Sequence, residues 1–162
     1  MTALGLDPYA DRLVGRFWPP RGPDWDALAK VNLSRSTAVL LVEAKSHRSE
    51  MASFCRAGKD SIQLIEAAFG RTRQWIGARK YRDWKSPFYQ FANRLAHLFF
   101  LREECGLEAW LANIYFIGDP YYPTNRGQWD DWLQEVRFEL GIGDCAIDGL
   151  VELFVPVKGI EK

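Results

Sequence analysis

The chain has 162 residues, of which 48% are hydrophobic and 14% aromatic, and its 21 basic side chains are balanced by 21 acidic ones. This composition excludes a disordered chain and predicts a single domain over residues 1–162. The apolar stretches end well short of the roughly 20 residues that a transmembrane helix needs, so no membrane partner is expected. The odd number of scattered cysteines and the lack of a secretion leader predict a reduced, cytoplasmic protein.

The N-terminal part of the chain is predicted to form a short helix and a β-hairpin. Residues 6–16 favour a helix, and the sequence FWPPRGP over 17–23 ends it because its three prolines break regular structure. Residues 25–31 and 37–45 predict strands on either side of a short polar turn. The second strand is apolar on both faces up to Glu43, which is typical of a central strand, so we expect helices to cover both sides.

The rest of the sequence alternates helices and strands. Ser86 and Pro87 are a strong helix start, because a capping hydroxyl precedes a proline at the first helical position, and Gly106 ends that helix. The predicted elements are helices over 60–79 and 86–106, a strand over 109–118, a helix over 128–140 and a strand over 151–157. This order predicts an α/β domain.

The charges are unevenly distributed along the chain. Residues 1–102 carry 17 basic and 9 acidic side chains, whereas residues 103–162 carry 4 and 12. The most basic stretch, RTRQWIGARKYRDWK over 71–85, interleaves arginine and lysine with aromatic residues. Basic groups neutralise phosphates and aromatic rings stack on bases, so this stretch is a candidate nucleic-acid surface. The alternative, which we favour, is a solvated helix end whose aromatic rings pack inward.

Three charged residues are predicted to meet at the end of the hairpin. Glu43 and Lys45 point to the same face because side chains alternate along a strand. If the hairpin turns between residues 34 and 35, Asp26 lies directly opposite Glu43. Two carboxylates so close repel each other unless a cation lies between them, and Mg²⁺ or Mn²⁺ takes oxygen ligands. We therefore expect Asp26, Glu43 and the carbonyl of Ala44 to bind a metal ion, with Lys45 acting on the attacking water in phosphodiester hydrolysis.

The same residues resemble a known signature. PDWDALAK followed by VLLVEAK is similar to the PD-(D/E)XK nuclease superfamily, in which an acid on one strand precedes Glu-X-Lys on the next. The resemblance implies a restriction-endonuclease-like central mixed β-sheet flanked by α-helices, and a magnesium-dependent nuclease acting on DNA in preference to RNA. Asp24 is the alternative to Asp26, because a two-residue slip of the hairpin exchanges their positions. The family often adds an acid from the first helix, and no Glu precedes Glu43, so either Asp7 or Asp11 supplies it or no residue does.

A polar stripe on the helix over 86–106 completes the candidate site. On one face of this helix lie Gln90, Asn93, Arg94 and His97. Their amide, guanidinium and imidazole groups suit hydrogen bonds to a phosphate or to a metal-bound water. Gln90 is expected to act in catalysis, and the other three residues to bind the substrate. The alternative is an ordinary solvated face.

Two classes of function remain open on this sequence. A nuclease needs Asp26, Glu43 and Lys45 together. A plain salt bridge between Glu43 and Lys45 fits instead an interaction module that keeps the fold without turnover, as a subunit of a nucleic-acid-processing complex. The acidic C-terminal part and the aromatic residues also favour a homodimer or a partner subunit.

Overall fold

The computed structural model describes residues 6–34, 36–78, 82–143 and 145–157. Its helices are α1 (Asp7–Leu13), α2 (Lys59–Ile76), α3 (Tyr89–Phe99) and α4 (Arg126–Leu140), and its strands are β1 (Ala27–Asn32), β2 (Thr37–Lys45), β3 (Ala109–Ile117) and β4 (Leu150–Pro156). A 3₁₀ turn (Arg48–Glu50) follows β2, and a π-helical turn (Phe100–Glu104) follows α3. No helix in these ranges is both long and apolar enough to cross a lipid bilayer.

The strands form one mixed sheet in the order β1-β2-β3-β4. β1 and β2 are antiparallel, while β2, β3 and β4 run parallel. α2 and α3 lie in the crossover from β2 to β3, and α4 connects β3 to β4. The predicted α/β class, with a central mixed sheet and flanking helices, is confirmed, as is the predicted order of elements.

The hairpin has the predicted register. Ala27 pairs with Val42 and Asn32 pairs with Thr37, so the turn is centred between residues 34 and 35. Register is well specified here because a slip by one residue would turn every buried side chain to the other face. The ladder begins at Ala27, which leaves Asp26 at the open end of the hairpin, beside the end of β2.

α3 begins later than predicted and takes its cap from another part of the chain. The helix starts at Tyr89 rather than at Pro87, and the side chain of Ser53 accepts a hydrogen bond from the main-chain N–H of Gln90 (2.7 Å). The main chain of Ser53 also donates to the carbonyl of Pro87 (2.6 Å) and accepts from the N–H of Tyr89 (3.2 Å). The prediction that Ser86 caps the helix was wrong because the cap comes from a residue distant in sequence. Ser53 thereby fixes the start of α3 against the segment that follows β2.

α2 and α4 end where glycine allows a left-handed backbone. Gly77 has a φ of 75° and follows the last residue of α2, which is why this helix stops before residue 79. Gly141 has a φ of 67° and ends α4 as predicted. At the start of α4, the Asn125 side chain accepts a hydrogen bond from the N–H of Gln128 (2.9 Å), and Gln128 Oε1 accepts one from the main-chain N–H of Asn125 (2.9 Å), so both ends of this helix are capped.

The helices lie on one side of the sheet, which we define as the covered face. The central strands β2 and β3 contribute Val39, Leu41 and Leu111 to this face, and all three are buried in the same core as side chains from α2, α3 and α4. On β3, Tyr115 packs against Trp129 of α4, with 4.9 Å between ring centroids. The hydrophobic core therefore forms between this face and the helices.

The opposite side of the sheet, which we define as the open sheet face, is apolar throughout. The strand register places on it Ala27, Ala29 and Val31 of β1, Ala38, Leu40, Val42 and Ala44 of β2, Trp110, Ala112, Ile114 and Phe116 of β3, and Val151, Leu153 and Val155 of β4. Trp110, Leu153 and Val155 are 37%, 44% and 38% exposed. Ala38 and Ala112 are buried among their larger neighbours, but none of these side chains belongs to the core between the sheet and the helices. The expectation that helices cover both sides was therefore wrong, because an apolar strand does not specify what covers it.

Candidate active site

Glu43 is the buried centre of the candidate site. It is 6% exposed near the end of β2, and Lys45 lies beside it on the same face, as the alternation along the strand predicts. Glu43 Oε1 accepts a hydrogen bond from Lys45 Nζ. Glu43 Oε2 accepts from Arg94 Nε (2.8 Å) and lies 2.7 Å from Arg94 Nη2. Each carboxylate oxygen therefore has a cationic partner.

Arg94 is held in place by contacts to two other segments of the chain. It is 3% exposed on α3, and its Nη2 also donates to the main-chain carbonyl of Asp24 (2.5 Å). Its guanidinium carbon lies 4.5 Å from the centre of the Trp25 ring, a favourable cation–π arrangement. Arg94 therefore links α3 to β2 through Glu43 Oε2, and to the segment before β1 through Asp24 and Trp25.

Asp26 contacts the Glu-X-Lys segment at its middle residue. Asp26 Oδ2 accepts a hydrogen bond from the main-chain N–H of Ala44 (2.7 Å), so a side chain continues the β1–β2 ladder. The N–H and C=O of a strand residue point to the same neighbouring strand, and the Ala44 carbonyl therefore also lies on the Asp26 side of β2. The alternative acid, Asp24, is exposed, and its main-chain carbonyl is the group that bonds to Arg94.

β3 contributes two site residues that the sequence analysis missed. Asn113 is in register with Glu43 and Tyr115 with Lys45, and both β3 side chains are buried. Burial raises the pKa of Tyr115, the nearby Glu152 carboxylate raises it further, and a hydrogen bond with Asn113 partly offsets the increase. Asn is depleted in strands, so the single amide within the apolar sequence AWLANIYFI was the signal that could have found this residue.

These residues enclose a small pocket that adjoins a wider groove. The Glu43 pocket has a volume of about 20 Å³, which is room for about one water-sized ligand, and it is lined by Glu43, Lys45, Met51, Gln90, Phe91, Arg94, Asn113 and Tyr115. The adjoining Arg21 groove has a volume of about 420 Å³ and is lined by Arg21, Gly22, Pro23, Asp24, Glu50, Ala52, Ser53, Tyr89, Gln90, Asn93 and Arg94. Gln90 and Arg94 belong to both, so the buried acid lies next to an open surface.

The polar stripe predicted on α3 faces the protein rather than solvent. Gln90 and Arg94 reach the Glu43 pocket together with Glu43 and Lys45, whereas Asp26 lines neither this pocket nor the Arg21 groove. Asn93 is 6% exposed and lines the Arg21 groove but not the Glu43 pocket, and its Oδ1 lies 3.5 Å from Arg94 Nη1. The alternative of a solvated helix face was therefore wrong for these three residues.

His97, the fourth residue of the stripe, faces a separate apolar pocket. Its ring is enclosed by aromatic side chains, of which Trp18 is the nearest at 4.8 Å between centroids. Nδ1 donates a hydrogen bond to the carbonyl of Asn93 (2.9 Å), and Nε2 has no partner among the described residues. Burial lowers the pKa of His97 to about 4, so the imidazole is neutral at physiological pH. His97 lines neither the Glu43 pocket nor the Arg21 groove.

The basic stretch over 71–85 packs largely against the protein itself. Arg71 pairs with Glu104 at 2.7 Å, and Trp84 is 1% exposed, with its indole N–H donating to the carbonyl of Leu140 (2.8 Å). Arg79, Lys80 and Tyr81, which belong to the predicted surface, lie outside the described residues. The described part of the stretch supports the interpretation as a helix end.

The acids predicted on the first helix do not reach the candidate site. Asp7 and Asp11 are exposed on α1 and line neither the Glu43 pocket nor the Arg21 groove. Across the described ranges, no three His, Cys, Asp or Glu side chains are grouped as metal ligands. A metal site here would therefore rest on Asp26, Glu43 and the Ala44 carbonyl.

Comparisons with known proteins do not assign a function to this site. No protein-family model matches the chain, and no curated protein or solved structure is significantly similar to it.

Proposed function

We propose that this chain is a metal-dependent nuclease that hydrolyses phosphodiester bonds, with DNA preferred over RNA. The observation that carries the proposal is that Glu43 and Lys45 line one pocket at the end of β2, and that Asp26 accepts a hydrogen bond from the main-chain N–H of Ala44, the residue between them. The pocket at this strand end adjoins a groove with room for a nucleic-acid backbone. The PD-(D/E)XK resemblance connects the same residues with the same chemistry.

The donor atoms at this strand end suit Mg²⁺ or Mn²⁺. Asp26, Glu43 and the Ala44 carbonyl offer oxygen ligands, which hard divalent cations prefer. Arg94 holds Glu43 Oε2 and orients the carboxylate, as hydrogen-bonding partners of metal ligands do. Lys45 Nζ contacts Oε1, so metal binding requires this ammonium group to move away. When bound, the cation polarises the phosphate and lowers the pKa of a water molecule.

The other side chains of the pocket have distinct roles in the proposed reaction. Lys45, once separated from Glu43, orients the attacking water and offsets negative charge on the phosphate. Gln90 lines both the pocket and the groove, where its amide is able to hold the water or donate to a phosphate oxygen. Arg94 bonds to Glu43 and to the main chain, and it therefore acts as a positioning residue.

Two exposed arginines extend the site along the surface. Arg21 lines the groove, and Arg56 lines an adjoining hollow of about 470 Å³ that shares Arg21 and Tyr89 with it. Neither arginine forms an ion pair within the described ranges. Cations spaced along a groove neutralise successive phosphates, which favours a polynucleotide over a single nucleotide as the substrate.

A second candidate is an interaction module without turnover. The observation that favours it is the full engagement of Glu43, because Lys45 and Arg94 balance the carboxylate charge without a metal ion. The site would then be a buried ion-pair network that stabilises the fold. The groove would bind nucleic acid or a partner subunit without cleaving it.

Cleavage and metal binding distinguish the two candidates. The purified chain is incubated with labelled linear, nicked, branched and single-stranded DNA and with RNA, in Mg²⁺, Mn²⁺ or EDTA. We expect cleavage that depends on the metal ion and falls by about 100-fold or more in Glu43→Gln and Lys45→Ala, because each removes a charge needed in the transition state. Asp130→Asn serves as the matched control, since this acid lies on α4 and pairs with Arg126 at the surface.

Thermal unfolding with and without Mn²⁺ provides a readout independent of activity. We expect Mn²⁺ to raise the Tm of the wild type and of Asp130→Asn but not that of Glu43→Gln. Equal cleavage by all variants would identify a contaminating nuclease. A wild type that neither cleaves nor responds to Mn²⁺ would overturn the nuclease proposal in favour of the interaction module.

A further inference from the structure

The open sheet face has an unusual chemical composition for a protein surface. Every side chain that the register places on it is apolar, across all four strands, and its exposed members include an indole ring, Trp110. Large contiguous apolar patches on folded domains mark interaction sites, and aromatic residues are enriched at the centres of interfaces. The described part of the chain supplies no helix on this side.

The composition of the open sheet face indicates which kind of surface it binds. The strand residues described on it carry no charge, and the Trp110 indole N–H is their one side-chain hydrogen-bonding group, so this face matches an apolar surface better than a charged one. Two identical apolar faces have no mismatched groups when a two-fold axis brings them together. The formal net charge of zero removes overall repulsion between copies. Two sheets of identical twist also match in shape, which is the basis of aligned sheet packing.

The area of the face is sufficient for a specific dimer. Four strands spaced about 4.8 Å apart, each about 25 Å long, give a footprint of roughly 500 Å² per copy. The pair would bury at least about 1,000 Å², the lower bound expected of a biological interface. Because pleated side chains expose more surface than a flat footprint, the buried area exceeds this value.

We propose that the open sheet face packs against the same face of a second copy of this chain, forming a two-fold symmetric homodimer with two sheets in its centre. The Glu43 pocket and the Arg21 groove lie on the helical side, so both copies keep their candidate sites accessible on the outer surfaces. The dimer does not depend on the proposed function, because neither candidate uses the open sheet face.

Sedimentation equilibrium across the micromolar range tests the dimer. We expect a wild-type dimer that Leu153→Glu and Val155→Glu each weaken by about 100-fold or more, since each buries an unpaired carboxylate at the interface. Phe138→Glu is the matched control, because Phe138 is 64% exposed on α4, on the other side of the molecule, and should leave the dimer intact. A monomeric wild type, or a dimer broken only by Phe138→Glu, would overturn the proposal.

Oxidative footprinting of the wild type covers the case in which a substitution prevents folding. We expect Trp110 to be modified more slowly at high than at low protein concentration, because the second copy shields its ring. Tyr121 is 85% exposed in the loop after β3 and should be modified at the same rate throughout. A modification rate of Trp110 that does not change with concentration would show that another surface, or none, forms the contact.

Discussion

Replacing Arg94 by methionine tests whether the buried ion pair with Glu43 holds the site together. The substitution removes two contacts to Glu43 Oε2, at 2.8 and 2.7 Å, and the hydrogen bond to the carbonyl of Asp24. The Arg94 and Glu43 side chains are 4% and 8% exposed, and removing one partner of a buried pair costs about 3–5 kcal/mol. Because Lys45 still contacts Glu43, we expect a loss of about 3 kcal/mol in the free energy of unfolding. That loss corresponds to a decrease in Tm of about 9 °C for a domain of this size.

A double-mutant cycle in urea, followed by tryptophan fluorescence and circular dichroism, measures the interaction. Glu43→Gln, Arg94→Met and the double variant should show a coupling free energy of about 2 kcal/mol, because the second substitution removes a charge that the first left unpaired. Arg48→Met is the control, since Arg48 and Glu135 pair on the surface and their separation should cost under about 1 kcal/mol. Additive effects in the cycle, or equal costs for Arg94→Met and Arg48→Met, would refute the reasoning.

Three further expectations concern the helix cap, the buried imidazole and the lysine. Ser53→Ala should lower the free energy of unfolding by about 1 kcal/mol through loss of the α3 cap, whereas Ser86→Ala should change it by under about 0.5 kcal/mol, both measured in urea. The pKa of His97 is lowered from 6.5 to about 4 in the folded chain. The part of the free energy of unfolding that depends on a neutral imidazole is therefore fully present above pH 6.5 and is lost as pH falls towards 4. Over that window the wild type should lose up to about 3 kcal/mol relative to His97→Leu, and parallel pH profiles would contradict this. Lys45→Met should abolish cleavage yet increase Mn²⁺ affinity by about tenfold in calorimetry, because it frees Glu43 Oε1; weaker binding would argue against that ligand.

The register of the hairpin could be predicted because local features determine it. The burial of Leu41 and Val39 excludes a one-residue slip, and a turn centred between residues 34 and 35 favours the pairing that places Asp26 at the end of β2. The face of α3 that carries Gln90 and Arg94 was also predictable from helical spacing. These predictions needed no knowledge of distant contacts.

Interactions between distant segments could not be predicted in the same way. The bond between Arg94 and Glu43 joins residues that are 51 positions apart, and the cap of α3 by Ser53 spans 37 positions. A local pattern instead favoured Ser86 as the cap. That the described helices all lie on the covered face was also not predicted, because the hydrophobicity of a strand indicates burial from water and not which partner covers it.

The link between Ser53 and α3 makes the short segment over 46–52 a spacer with a fixed length. Lys45 ends β2 on one side of this spacer, and Ser53 sets the first turn of α3 on the other. A residue inserted here would displace the anchor and, with it, the arginine one turn further along the helix. Length changes between α2 and α3 would leave the anchor in place. Natural or engineered variation in loop length should therefore be tolerated after α2 and rejected in the spacer.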